Sequence, residues 1–162
     1  MLTKFFFSTQ VGAESTKYFS TRTSVTSMTD FAKYSIPIEL RFADLDAYGH
    51  VNNATYFTYL ETARTKLFYD KFIEFMNQSL LFLVVKAECE YKLPIELKDE
   101  VIVSLEMARV GNSSFDIDYV LHNGNGKTFG LAKTVMVCYD GKAKKTTRIP
   151  ESFKLLLVPN VS

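Results

Sequence analysis

The chain has 162 residues, 47% of them hydrophobic and 14% aromatic, with 19 Lys and Arg against 18 Asp and Glu for a formal net charge of +1. That length suits one domain, because a second core would be starved of apolar surface. The near-neutral balance argues against a nucleic-acid binder, which needs a clustered basic surface, while 14 Phe and 9 Tyr allow a packed interior without disulfides or a structural metal.

Cys89 and Cys138 both sit inside apolar runs and read as buried thiols, which points to a reducing compartment. The longest apolar run, Leu80 to Val85, falls short of the roughly 18–20 residues that span a bilayer. The expected location is therefore cytoplasmic. Residues 1–33 open an alternative: they are rich in Ser and Thr and poor in acids, weakly like a transit peptide, and would direct the chain to a mitochondrion or plastid. They are equally consistent with a disordered extension or an overlong start site, so the folded domain is expected over 34–162.

From Tyr34 the pattern sharpens. Ser35 to Phe42 alternates, with Ile36, Ile38, Leu40 and Phe42 on one face, predicting a half-buried strand. Ala43 to Asn53 has no period and carries Asp, Gly, His and Asn, which suit irregular backbone. Asn52 or Asn53 can then cap a helix from Ala54 to near Phe75, with Tyr56, Leu60, Ala63 and Leu67 at helical spacing. Four strands follow: Leu81 to Lys92, ended by Pro94, then Glu100 to Arg109, Ser114 to His122 and Thr128 to Tyr139. Gly111-Asn112 and Asn123-Gly124-Asn125-Gly126 serve as hairpin turns. Glu151 to Leu157, after Pro150, can form a short closing helix. A strand, one long helix and an antiparallel meander make an α+β layer architecture.

The chemistry concentrates between Arg41 and Arg64. Acids, a histidine and amides stand where a strand ends and a helix begins. The free amides and positive dipole end of a helix can hold a developing oxyanion there while the loop presents a carboxylate. The run from Asp44 to Tyr56, Asp-Leu-Asp-Ala-Tyr-Gly-His-Val-Asn-Asn-Ala-Thr-Tyr, resembles the signature of hotdog thioesterases of the 4-hydroxybenzoyl-CoA thioesterase type. It is closer still to long-chain acyl-CoA and plant acyl-ACP thioesterases carrying Asp-x-x-x-His-Val-Asn-Asn. The resemblance extends through Tyr91-Lys92-Leu93-Pro94.

That resemblance implies a hotdog fold, an antiparallel sheet wrapped around one long central helix. It also implies hydrolysis of an acyl thioester, acyl-CoA or acyl-ACP, in fatty acid metabolism. Asp46 becomes the catalytic carboxylate, as nucleophile or general base; the blander role for an Asp here is to stabilise a turn. His50 is expected to orient Asp46, position water or protonate the leaving thiolate, and the backbone amide at Asn53 to be the oxyanion donor. Asp44 reads as a loop brace or ion-pair partner of Arg41. Glu61 is a second-rank catalytic candidate because some hotdog enzymes use a helical glutamate, although a solvated pair with Arg64 is the default at that spacing.

Tyr48, Gly49, Asn52, Tyr56 and Arg109 complete the expected substrate-binding set, with Gly49 supplying an unusual backbone conformation or a close approach. Two departures stand out. Tyr48 occupies a place where the acyl-ACP enzymes have Asn, and the turn that holds the CoA phosphate in some relatives reads Gly111-Asn112-Ser113 here, with only Arg109 nearby. The second departure adds weight to a carrier protein as acyl donor. Lys142, Lys144, Lys145 and Arg148 fit either an acidic carrier or a strand edge protected by lysines.

No zinc-spaced ligand cluster and no phosphate-cradling glycine loop occurs, so neither metal nor other cofactor is expected. The family implies a homodimer or homotetramer with active sites between subunits. The rival functions are a hotdog hydratase or dehydratase acting on acyl thioesters and a non-catalytic acyl-binding module.

Overall fold

The helix predicted after the Asn52-Asn53 pair is the organising element of the computed structural model, which describes residues 34–157. The extension expected over 1–33 lies outside the described residues. Helix α1 runs Asn53–Met76, capped by Asn52, whose side chain accepts the Ala54 N–H at 2.9 Å. It ends where Asn77 and Gln78 turn the chain toward Ser79, which adopts a positive φ of 65°.

Around it lie β1 (Ser35–Ile38), β2 (Leu80–Tyr91), β3 (Val101–Val110), β4 (Ser114–His122), β5 (Thr128–Asp140) and the short β6 (Lys145–Thr146). Helix α2 (Glu151–Leu157) closes the described chain where the sequence predicts it. The strands form one antiparallel sheet in the order β1-β3-β4-β5-β2, with β6 pairing the end of β5. β2 is therefore an edge strand, and a register shift between Val84 and Lys86 lets Val85 bulge out of its ladder with β5.

Alternation along the strands decides which face is buried. In β4, Phe115, Ile117, Tyr119 and Leu121 turn toward the helix and are at most 2% exposed. They meet Tyr56, Tyr59, Leu60 and Ala63 from α1 in a single core, each large side chain contributing about 1.5–3 kcal/mol by leaving water.

One predicted element is shorter than expected. Strand β1 stops at Ile38, opposite Val101, because β3 offers it no partner beyond that residue. The chain then folds into a 3-10 turn over Phe42–Asp44, fastened by the Arg41 N–H on Asp44 Oδ2 at 3.0 Å and the Asp44 N–H on the Arg41 carbonyl at 2.9 Å. Phe42, expected to face the core, is 81% exposed.

Candidate active site

The loop between the 3-10 turn and α1 is a miniature hairpin. Leu45 and Val51 form an antiparallel bridge, the Gly49 N–H donates to the Asp46 carbonyl at 3.0 Å, and the Asp46 N–H donates to the His50 carbonyl at 2.8 Å. Such a turn needs a left-handed residue before the chain rejoins its partner, and Gly49 supplies it with φ +78°. A Cβ at Gly49 would have nothing within 4 Å, so conformation rather than close approach demands glycine there.

This hairpin is bolted down on both sides. The Val51 N–H reaches the Ile95 carbonyl at 2.8 Å, His50 bridges Glu96, and the Asn52 N–H reaches the Asp44 carbonyl at 2.9 Å. Asp44 is 2% exposed and accepts from the Arg41 guanidinium at 2.8 Å and the Tyr59 hydroxyl at 2.8 Å. Burial alone would push its carboxyl up, but the hydrogen bonds from Arg41 and Tyr59 outweigh it and hold the group below the usual carboxylate range. Asp44 is thus the brace that the sequence suggested.

Asp46 is held differently. Its Oδ1 accepts the Tyr48 N–H at 2.8 Å and the His50 N–H at 3.3 Å, while Oδ2 has no hydrogen-bond partner among the described residues. One oxygen thus organises the turn, and the other is left unengaged. A pocket of about 270 Å³ opens beside it, lined by Asp46, His50, Val51, Asn53, Tyr56, Tyr91, Lys92, Leu93 and Pro94.

At the start of α1 the Ala54 N–H is taken by the Asn52 side chain and the Thr55 N–H by the Asn52 carbonyl at 2.8 Å. The Asn53 N–H has no acceptor among the described residues. Asp46, with one carboxylate oxygen unengaged, and Asn53, with its helix-terminal N–H unengaged, thus line one cavity, a pairing suited to attack on a carbonyl whose oxygen becomes negative.

The sequence-derived candidates divide accordingly. Asp46, His50, Asn53 and Tyr56 line the pocket together. Tyr48, Gly49 and Asn52 shape its support: the Tyr48 side chain is 85% exposed, and it is that residue's backbone that holds Asp46. Glu61 is exposed on α1 and makes no ion pair with Arg64 among the described residues; Arg64 instead lies against buried Tyr119. Arg109 is at the far end of β3 from the pocket, its guanidinium held by Asp116 at 2.8 Å. His122 is half-buried, in contact with Ser104 at 2.7 Å. The residues that sequence reasoning passed over as site members are Val51 and Tyr91 to Pro94. The signal for Tyr91 to Pro94 was the Pro that stops β2, which turns the strand end across the helix terminus.

The thioesterase-like superfamily model matches residues 40–157. The chain belongs to that superfamily. Its relatives include the long-chain acyl-CoA thioesterase FadM of Escherichia coli, 30% identical over 67% of this chain and 84% of FadM. The acyl-CoA thioester hydrolase YbgC of Escherichia coli is 27% identical over 72% of this chain and 89% of YbgC. Among solved structures, a Thermus thermophilus thioesterase complexed with coenzyme A and zinc superposes with a TM-score of 0.65 at 31% identity, over 76% of this thioesterase-like chain and 90% of that one. The sheet wrapped around α1 is the hotdog fold shared by these structural neighbours, as the motif implied.

Proposed function

We propose that this chain hydrolyses an acyl-CoA thioester, with Asp46 as the catalytic carboxylate. The observation that supports this reading is that Asp46, one of whose carboxylate oxygens is unengaged, and Asn53, whose N–H is unengaged, line the same pocket. The acyl-CoA substrates named for FadM and YbgC, and the coenzyme A bound to the Thermus protein, support the same substrate class.

In the general-base form, Asp46 takes a proton from water and the resulting hydroxide adds to the thioester carbon. The Asn53 N–H donates to the tetrahedral oxyanion, and the carbon–sulfur bond then breaks to leave acid and thiol. In the nucleophilic form Asp46 Oδ2 attacks the carbon itself, the thiol leaves, and water cleaves the mixed anhydride. Either way the thiolate needs a proton, and His50 is the pocket residue suited to deliver it.

The working unit we propose is a homodimer made through β2, in the cytoplasm. Leu83, Val84 and Val85 are exposed on this unpaired sheet edge, with Val85 at 59%, and an open apolar edge of that length invites a second strand. A subunit joined there would cover the open side of the pocket near Tyr91.

The test is thiol release across acyl-CoA and acyl-carrier substrates. Asp46→Asn should lower kcat about 10³-fold, within the range general-base groups contribute, with an unchanged unfolding midpoint. Full turnover in that variant, or enoyl thioester as the product, would refute the reading.

A further inference from the structure

Tyr91 is the last residue of β2 and lines the pocket, half-exposed, yet its hydroxyl does not point at the cavity's carboxylate. It donates to the Asn53 carbonyl at 3.0 Å. The bond matters because of where it falls in the first turn of α1. The peptide that joins Asn53 to Ala54 is pinned at both ends, its carbonyl by Tyr91 and its N–H by the Asn52 side chain at 2.9 Å. The preceding peptide, which carries the unengaged Asn53 N–H, has its carbonyl pinned by the Thr55 N–H at 2.8 Å. With both neighbouring groups fixed, the direction of the Asn53 N–H is fixed as well.

A second tyrosine makes the attachment reciprocal. Tyr56 rises from α1 to meet the Tyr91 ring edge-on, with centroids 4.9 Å apart at 88°, and its hydroxyl donates to the Leu93 carbonyl at 3.3 Å. One hydroxyl runs from strand to helix and the other from helix to the segment after the strand. That segment is anchored in turn, since the N–H groups of Lys92 and Leu93 both donate to the Phe129 carbonyl at 2.8 and 3.1 Å. Opposite Tyr91, β5 carries Gly130, where an added Cβ would come within 3.6 Å of the Tyr56 ring and 3.1 Å of the Glu90 carbonyl. The tight contact there is with the β2 backbone, and the Tyr56 ring lies at ordinary packing distance. Burial raises the Tyr91 phenol, so it remains a hydrogen-bond donor at neutral pH.

We infer that Tyr91 is a positioning residue: by holding the Asn53 carbonyl from the sheet edge, it aims the helix-terminal amide at the oxygen of the reacting carbonyl. This rests on the proposed thioesterase reading, and assigns to a residue outside the loop motif the task of setting the oxyanion donor. Its effect belongs to the tetrahedral state and not to substrate capture, because the hydroxyl is spent on the helix and the ring alone faces the ligand.

The experiment compares wild type, Tyr91→Phe and Asp46→Asn on the acyl-CoA that wild type turns over fastest in a panel of hexanoyl-, palmitoyl- and benzoyl-CoA. Tyr91→Phe keeps the ring and removes the hydroxyl. Its kcat should fall about 10-fold with KM within about twofold, and a thioether analogue of the substrate should bind as to wild type. A trifluoromethyl ketone analogue, which hydrates to a tetrahedral carbon, should bind about 10-fold more weakly. The Asn53 and Ala54 amide resonances should shift while those of β3 stay put, a readout that needs neither activity nor a changed unfolding midpoint. An unaltered kcat, an equal loss in both analogues, or unmoved Asn53 and Ala54 resonances would overturn the inference. If Asp46→Asn is inactive and Tyr91→Phe is not impaired, the role of Tyr91 alone fails; if Asp46→Asn retains turnover, the reading of the whole site fails.

Discussion

The two ends of α1 rest on the same sheet and do opposite things. Toward its C-terminal end the helix presents Phe68, Phe72 and Phe75 to a ring cluster completed by Phe82, Phe115 and Phe153. Phe153, delivered by α2, is 0% exposed and stacks on Phe82 with centroids 4.4 Å apart. At the N-terminal end a pocket replaces that packing, the neighbours are Asp44, Asp46 and His50, and a backbone donor goes unused. The lesson is a division of labour along one rigid element. Burial at the ring-filled end stabilises the helix, and that stability holds unsatisfied polar groups in place at the other end, where they are available to a substrate.

The sharpest way to break this comparison is to empty the packed end. Phe153→Ala removes the ring that all the others touch and leaves a cavity under α2, so stability should drop by about 3–5 kcal/mol. Urea unfolding would show it as a lower midpoint at unchanged slope, while kcat measured at low temperature, where the variant remains folded, stays near wild type. A variant with a normal midpoint and lost turnover would show that the two ends are not separable.

A smaller effect is expected where stability and site geometry meet. The Tyr59 hydroxyl donates to buried Asp44, and Asp44 in turn carries the loop that presents Asp46. Tyr59→Phe leaves that carboxylate short of one charge-assisted bond, a loss of about 1.5–3 kcal/mol. Unlike Phe153→Ala, it should also lower kcat several-fold at temperatures where the protein is folded. Equal kcat in the two enzymes would mean the brace does not transmit position to Asp46.

The sequence disclosed these two ends unequally. The period of α1 and the alternation of β4 were plain because one buried face repeats along each element, and both run as predicted within a residue or so. The loop announced itself through residue types that suit irregular backbone, and its resemblance to the thioesterase motif grouped Asp46, His50 and Asn53 before any coordinates. The short β1 was misjudged because Leu40 and Phe42 continue an alternation whose hydrogen-bonding partner has run out, a fact carried by β3 and not by the segment itself. β6 left no periodic trace, being Lys145–Thr146 alone. Glu61 was placed in doubt by its spacing from Arg64, yet Arg64 interacts with Tyr119 of β4, a contact no helical spacing announces. The bond made by the Tyr91 hydroxyl was equally illegible: it reaches a backbone carbonyl 38 positions away, and no local pattern encodes that distance.

The mildest prediction concerns acid sensitivity at the pocket end of the sheet. His122 closes β4 with its Nδ1 accepting the Gly124 N–H at 2.9 Å and its Nε2 against the Ser104 hydroxyl at 2.7 Å, which in turn meets the Ser35 hydroxyl at 2.6 Å. Nδ1 is thus the unprotonated nitrogen, and protonation would set two N–H groups against each other. Burial also lowers the His122 pKa. A histidine whose folded pKa is depressed takes up its proton more readily when unfolded, so the stability it contributes is present above the unfolded value of about 6.5 and is lost as pH falls through the folded one. Asp44, whose carboxyl is also held low, loses its contribution only below about pH 4 and stays out of this window. Between about pH 7.5 and 5.5 the Tm of wild type should therefore fall by on the order of 2 °C more than that of His122→Gln, which has no proton to gain. Parallel Tm curves for the two proteins would show that the β4–β5 turn tolerates the charge.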